Sequence, residues 1–235
     1  MNCEVIRVDA CKLVAGEGVW EFARRHAAEI DARWDQLRRN NPNYFNGAIY
    51  FMESRSVAAG VLSGRFLKSD FKSFLYWREA GAGDTGVADA FGSALIRSAE
   101  GYVLLGRQRA GHINGGLAYL PGGFIDERDV AADGGIDIEA SIRRELVEET
   151  GVPAREFDRI PGYYITTSGT SVSIAAEFHS HVPATDLRRE MLDRIAAQDD
   201  PELADIVVVK TAAGLDALDL VPYAKRLLEK LLPPA

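Results

Sequence analysis

Three glutamates within five residues, in the stretch "RELVEETG" (144–151), limit what this chain can fold into more than any other feature. At about 100° of turn per residue, a helix gathers Glu145, Glu148 and Glu149 into one arc of roughly 100°. Like charges three or four residues apart each destabilise a helix by about 0.2–0.5 kcal/mol. Either this is a solvated face on which Arg143 and Arg144 dilute the repulsion, or the absent positive charge is a bound metal ion. The neighbouring residues define a helix that packs by one edge. Asp137 is placed to cap it, Ile138, Ile142 and Leu146 form an apolar stripe beside the carboxylates, and Gly151 is suited to end it. Upstream, Gly122 and Gly123 in "LPGGF" leave backbone carbonyls free of side-chain bulk, open to a ligand or metal. Carboxylates plus a carbonyl make a hard, all-oxygen donor set, which suits Mg²⁺ or Mn²⁺ rather than zinc.

Composition narrows the classes of partner. A formal charge of −8 argues against a grip on a nucleic-acid backbone, though a small phosphorylated substrate held through metal ions remains open. The two cysteines, Cys3 and Cys11, form neither a CxxC pair nor a disulfide framework, which fits a reducing compartment. The opening "MNCEVIRVDA" lacks the basic and apolar regions of a signal peptide, and no apolar run reaches the length of a membrane span. The expectation is a soluble cytoplasmic protein without membrane or nucleic-acid partners.

Hydrophobic periodicity gives a mixed order of strands and helices. A strand is expected at 4–8, a helix over 19–40, strands in "AIYFMES" and "VAAGVLSGRFL", and a short helix from Asp70 to Gly81. "NPNYFNG" is a turn cluster and "GAGDTG" (81–86) the candidate linker. Beyond it, "FGSALIRS" and "YVLLGRQR" read as a hairpin, and "SVSIAAEFHSHV" and "ADIVVVK" as strands. "ATDLRREMLDRIAAQ" and "VPYAKRLLEKLL" read as helices, the latter with Pro222 in its first turn. The expected class is α/β of the α+β kind: a smaller N-terminal α+β extension over 1–86, then a domain over 87–235 with a mixed sheet.

At this point the residues carry a resemblance. "GGF…RRELVEETGV" resembles the signature of the Nudix hydrolases, written G-x5-E-x7-R-E-U-x-E-E-x-G-U with U aliphatic. Arg144, Glu145, Leu146, Glu148, Glu149, Gly151 and Val152 match every fixed position of its second half. Counted back from Arg144, Ile136 stands where the first half has a glutamate. The stretch "IDERDVAADGG" is then expected to be an insertion of about seven residues that forms a loop rather than helix, with Asp133, Asp137, Glu139 or nothing supplying the carboxylate. The resemblance implies an α/β/α sandwich and a metal-dependent pyrophosphohydrolase of a nucleoside diphosphate linked to another group. It implies Glu148 and Glu149 as principal metal ligands, Glu145 as a metal ligand or proton acceptor, and a glycine-loop carbonyl that joins the metal. "NPNYFNGAIYFM" with "LKSDFKSFLYWREAG" is similar to the extension of relatives acting on UDP-sugars. ADP-ribose hydrolases, whose extensions often form dimers, are the second resemblance. The alternative of a different class is a Nudix fold kept as a nucleotide-sensing or protein-interaction module with hydrolysis lost, which Ile136 supports.

Secondary candidates lie outside the signature. Arg107 and Arg109 share a strand face leading to the glycine loop, suited either to phosphates or to solvent. Glu177, His179 and His181 alternate along one strand. Glu177 is the expected metal carboxylate from outside the helix, and the His-x-His pair lacks the further ligands of a zinc site. Tyr44, Phe45, Trp77 and Tyr163 either stack a base or fill the core.

Overall fold

The computed structural model describes residues 4–42, 44–83 and 85–234, so Cys3, Asn43 and Asp84, the last within the candidate linker, lie outside the described residues. The chain runs β1 (Glu4–Val8), β2 (Ala10–Gly16), α1 (Glu21–Arg25), α2 (Ala27–Asn40), β3 (Ala48–Ala58), β4 (Val61–Asp70) and α3 (Phe71–Glu79). It continues through β5 (Asp89–Arg97), β6 (Val103–Gln108), β7 (Ala118–Tyr119), β8 (Gly122–Phe124), β9 (Gly135–Ile136) and α4 (Ile138–Thr150). It closes with β10 (Asp158–Ser168), β11 (Ser171–His179), α5 (Ala184–Ala196), β12 (Leu203–Val209) and α6 (Pro222–Leu231).

Among the described residues these strands form two sheets. The larger is ordered β1-β10-β11-β5-β6-β12, with β7 beside β6 and β8 beside β5. Its centre is the parallel pair β5 and β11, which explains why "FGSALI" and "SVSIAAEF" are nearly unbroken apolar runs: both faces are covered. Helices α4 and α5 pack on one face and α6 on the other, the α/β/α sandwich of the sequence expectation. Ile142 of α4 sits over Gly92, and Tyr223 of α6 meets Phe91 edge-on at 5.0 Å, so successive β5 residues face opposite layers.

The smaller sheet is ordered β3-β4-β2-β9. Tyr50 and Met52 of β3 join the main core, whereas Ile49 and Phe51 face an aromatic cluster with Trp20, Phe74 and Trp77. The sheet is therefore sandwiched between the main core and the helices α1 and α3. The sheets also exchange strands: β1 closes an edge of the larger one against β10, and β9, from beyond residue 87, pairs with β2.

Several elements depart from the sequence expectation. The helix over 19–40 breaks at His26 (φ −105°, ψ 22°), where the rings of Phe22, His26 and Tyr76 pack together. Strand β10 was hidden by Pro161 and Gly162, which suggest a turn but form an irregularity between Ile160 and Tyr163. Asp70 does cap α3, accepting from Ser73 N–H at 3.1 Å. No helix among the described residues is long and apolar enough to cross a membrane.

The contact of α4 with β5 allows a direct test. A Cβ on Gly92 would lie 2.6 Å from Ile142 Cγ1. Gly92→Ala is expected to cost about 1–3 kcal/mol in denaturant unfolding, as overpacking does. Ile142→Ala removes that Cγ1, so the cost of Gly92→Ala should be smaller in an Ile142→Ala background than in wild type.

Candidate active site

Helix α4 is built as its residues dictate. Asp137 caps it, accepting from Ala140 N–H at 2.9 Å, and Gly151 ends it in the left-handed conformation at φ 71°. Ile138, Ile142 and Leu146 are buried against the sheet. That orientation turns Glu149 fully inward, leaves Glu145 nearly buried, and puts Glu148 at the rim with its side chain 51% exposed.

The structure corrects the account of the first half of the signature. Ile136 is not at the carboxylate position: it is buried in β9 and pairs with Leu13 of β2. Counted forward from Gly123, five residues lead to Asp129, whose carboxylate lies against Arg144. Arg144 donates to it through Nη1 at 2.5 Å and Nη2 at 3.1 Å, while Asp126 N–H donates to its Oδ2 at 3.0 Å. The extra residues fall after Asp129, not before it. The chain leaves there, turns back through Gly134, and returns where Asp137 N–H bonds Asp129 O at 2.8 Å. The expected loop is thus no extension of the helix; it opens with a 3-10 turn at Glu127–Asp129 and is fastened to β2, with Ala15 N–H donating to Gly134 O at 2.8 Å.

Facing α4 is β8. A Cβ on Gly123 would lie 2.5 Å from Glu145 Oε2, so only glycine lets strand and carboxylate approach this closely. Gly122 N–H points at Glu149 Oε1 from 3.4 Å, and Tyr119 Oη donates to the same oxygen at 2.9 Å. Tyr119 Oη is also 3.5 Å from Glu202 Oε1, which Gln108 Nε2 approaches to 2.5 Å. Glu202, just before β12, is the functional candidate that sequence reasoning missed: only the pairing of β12 with β6 carries it to the helix.

The electrostatics of this cluster are those of a site short of positive charge. Burial, reinforced by Glu148, pushes Glu145 up to about 7. Burial, then Glu202 and Glu145, hold Glu149 well above the usual carboxylate range. Glu149 Oε2 is buried with no hydrogen-bond partner, an arrangement a cation would relieve. Among the described residues no three acidic, histidine or cysteine side chains already converge as a metal cage. The orphaned oxygen, the close approach of the Gly123 backbone to the Glu145 carboxylate and the all-oxygen donors nevertheless fit a hard divalent ion.

The other expected site residues lie elsewhere or serve the scaffold. Arg107 donates to Gly116 O at 2.8 Å, and Arg109 pairs with Asp200 while its N–H holds Glu202 O at 2.9 Å. Both brace loops beside the cluster. Glu177 is not brought to α4. It pairs with Leu95 in register and alternates with Phe178, whose ring packs under Arg143 of α4, so it faces the opposite layer. There Arg97 Nε donates to it at 2.6 Å and His179 Nε2 lies at 2.9 Å. Burial acts to raise its pKa, but the contacts with His179 and Arg97 outweigh burial and hold it below the usual carboxylate range. His181 pairs with Asp158 instead of joining His179. Trp77 is core, Tyr163 donates to Glu139 at 3.0 Å beneath Arg159, Tyr44 packs parallel to Trp34, and Phe45 is exposed.

Comparison with known proteins follows this geometry. Residues 87–231 match the family model of the NUDIX domain. Among solved structures, the chain is similar to the Nudix hydrolase RenU from M. smegmatis, at 18% identity over 60% of this chain and 81% of that one, with a TM-score of 0.40. It is similar to the MutT protein from Methanosarcina mazei Go1, at 21% identity over 60% and 90%, with a TM-score of 0.40. It is also similar to DR0079 from Deinococcus radiodurans, at 14% identity over 60% and 81%, with a TM-score of 0.44. No curated protein matches its sequence.

Substitutions at Asp129, Ile136 and Glu177 test the assignments. Asp129→Ala leaves Arg144 without its buried partner, so unfolding stability is expected to fall by about 3–5 kcal/mol. Adding Ile136→Glu should not restore it. Glu177→Gln is expected to leave turnover unchanged and to cost about 1.5–3 kcal/mol near neutral pH, as lost hydrogen bonds to a charged group do. Because the folded pKa of Glu177 is lowered, its contribution is present above the unfolded value and lost as pH falls through the folded one. The stability gap between wild type and Glu177→Gln should therefore close on acidification.

Proposed function

The chain belongs to the Nudix hydrolase family, whose members are pyrophosphohydrolases, and from that premise we propose that it hydrolyses a nucleoside diphosphate sugar of the UDP-glucose kind, with Mg²⁺ or Mn²⁺, to a nucleoside monophosphate and a sugar phosphate. The observation that carries the metal-dependent reading is the buried, unpartnered Glu149 Oε2 beside Glu145, Glu148 and Glu202. The sugar nucleotide rests on the resemblance of the N-terminal stretch to the extension of relatives acting on UDP-sugars.

Each residue has a part that its position supports. Glu148, Glu149 and Glu202 would hold the divalent ion, with the β8 backbone at Gly122 and Gly123 close enough to add a carbonyl. Once bound, such an ion neutralises the diphosphate and acidifies the attacking water. Glu145, nearly buried and next to Gly123, is placed to take the proton from that water. Tyr119 orients Glu149 by donating to one oxygen, which leaves the other free for the ion. Arg144, tied to Asp129, keeps the helix and the loop before it in register. Asp129 at the carboxylate position of the signature favours a working hydrolase over a binding module that has lost its chemistry.

Purified protein with Mg²⁺ should be assayed for phosphate-ester products across UDP-sugars, other nucleoside diphosphate sugars and ADP-ribose. The expected result is the highest kcat/KM on a UDP-sugar. A preference for ADP-ribose would replace the substrate, and no hydrolysis of any member would overturn the enzyme reading. Glu148→Gln/Glu149→Gln is expected to abolish turnover, a loss of at least about a thousandfold, while circular dichroism stays unchanged.

A further inference from the structure

The carboxylate face carries two arginines that differ in how they are committed. Arg144 is spent on Asp129, whose side chain is fully buried, through two hydrogen bonds. Arg128 is 58% exposed at its side chain and bridges two groups at the rim. Its Nη2 and Nε donate to Asp126 Oδ2 at 2.6 Å and 2.9 Å, and its Nη1 reaches Glu148 Oε1 at 3.4 Å. The backbone beneath it is fixed. Asp126 and Asp129 form a reciprocal cap around the turn, Tyr50 N–H holds Ile125 O at 2.9 Å, and Lys68 of β4 pairs with Glu127. The N-terminal segment thus helps fix the turn that presents an exposed guanidinium at the mouth of the site.

Glu148 Oε1 then has two claimants. With no ion at the helix, Arg128 lends it positive charge. A divalent ion on Glu148 and on the unpartnered Glu149 Oε2 would take that oxygen and repel the guanidinium. Still held to Asp126 through Nε and Nη2, the guanidinium would have its Nη1 side free at the rim, where a diphosphate held by the ion presents oxygens that suit a planar, charged donor. Building on the pyrophosphohydrolase reading above, we propose that Arg128 is a diphosphate-binding residue held in reserve on Glu148 and released to the substrate when the divalent ion binds.

The test uses the full chain, with Mn²⁺ alone and then methylenediphosphonate at saturating Mn²⁺ as probes in calorimetric titration. In Arg128→Ala, Mn²⁺ should bind about two- to fivefold more tightly than in wild type, because an exposed ion pair that competes for Glu148 is gone. Methylenediphosphonate should bind about tenfold more weakly, the loss of one charge-assisted contact. Arg128→Lys keeps the charge but not the fork, so its Mn²⁺ affinity should match wild type while its methylenediphosphonate affinity falls between the two. Unchanged affinities for both probes in a folded Arg128→Ala would overturn the proposal alone. Should that variant fail to fold, a methylenediphosphonate affinity in Arg128→Lys equal to wild type would overturn it. A wild type that takes up no Mn²⁺ would overturn both the metal-dependent reading and this proposal.

Discussion

The pair between Arg144 and Asp129 is the contact on which the rest of the site depends. Asp129 is removed from solvent, so its charge is tolerable only because two guanidinium bonds and the Asp126 N–H surround it. The same guanidinium lies 3.5 Å from Glu145 and 4.0 Å from Glu148, so one buried ion pair also borders two carboxylates of the signature helix, one nearly buried and one at the rim. A second bond, from Asp137 N–H to Asp129 O, brings the start of α4 back to where the loop left. Closure at both points lets extra residues be added between them without moving the helix.

What the sequence disclosed follows from which forces are local. The cap at Asp137, the stripe of Ile138, Ile142 and Leu146, and the stop at Gly151 each depend on neighbours within one or two turns, and all three stand as expected. Asp129 was equally within reach, since five residues separate it from Gly123; counting back from Arg144 alone put the insertion on the wrong side of it. Glu202 was not within reach. Its approach to Tyr119 depends on β12 pairing with β6, a contact between segments far apart in the chain. Glu177 misled for a related reason. In a strand buried on both faces, polar residues no longer mark the open side, and alternation shows only that they share one face.

The N-terminal segment is bound up with this chemistry through packing. Phe124, directly after the glycines of β8, meets Phe74 of α3 edge-on at 4.8 Å, and Arg78 of the same helix holds Ile113 O and Asn114 in the loop after β6. Aromatic contact on one side and polar bonds on the other tie α3 to β8 and to the loop after β6.

Strand β1 also has a protective role. It covers the outer edge of β10 from Val8 against Tyr163 to Glu4 against Thr167, a stretch whose unpaired amides and carbonyls would otherwise invite another chain. A truncated chain beginning at Val87 would keep every residue of the signature and still bare that edge, together with the apolar underside that Leu62 and Phe66 now cover. Its first failure would be self-association through the sheet, well before any loss of the carboxylate chemistry. Solubility and catalysis are therefore carried by different parts of one interleaved fold.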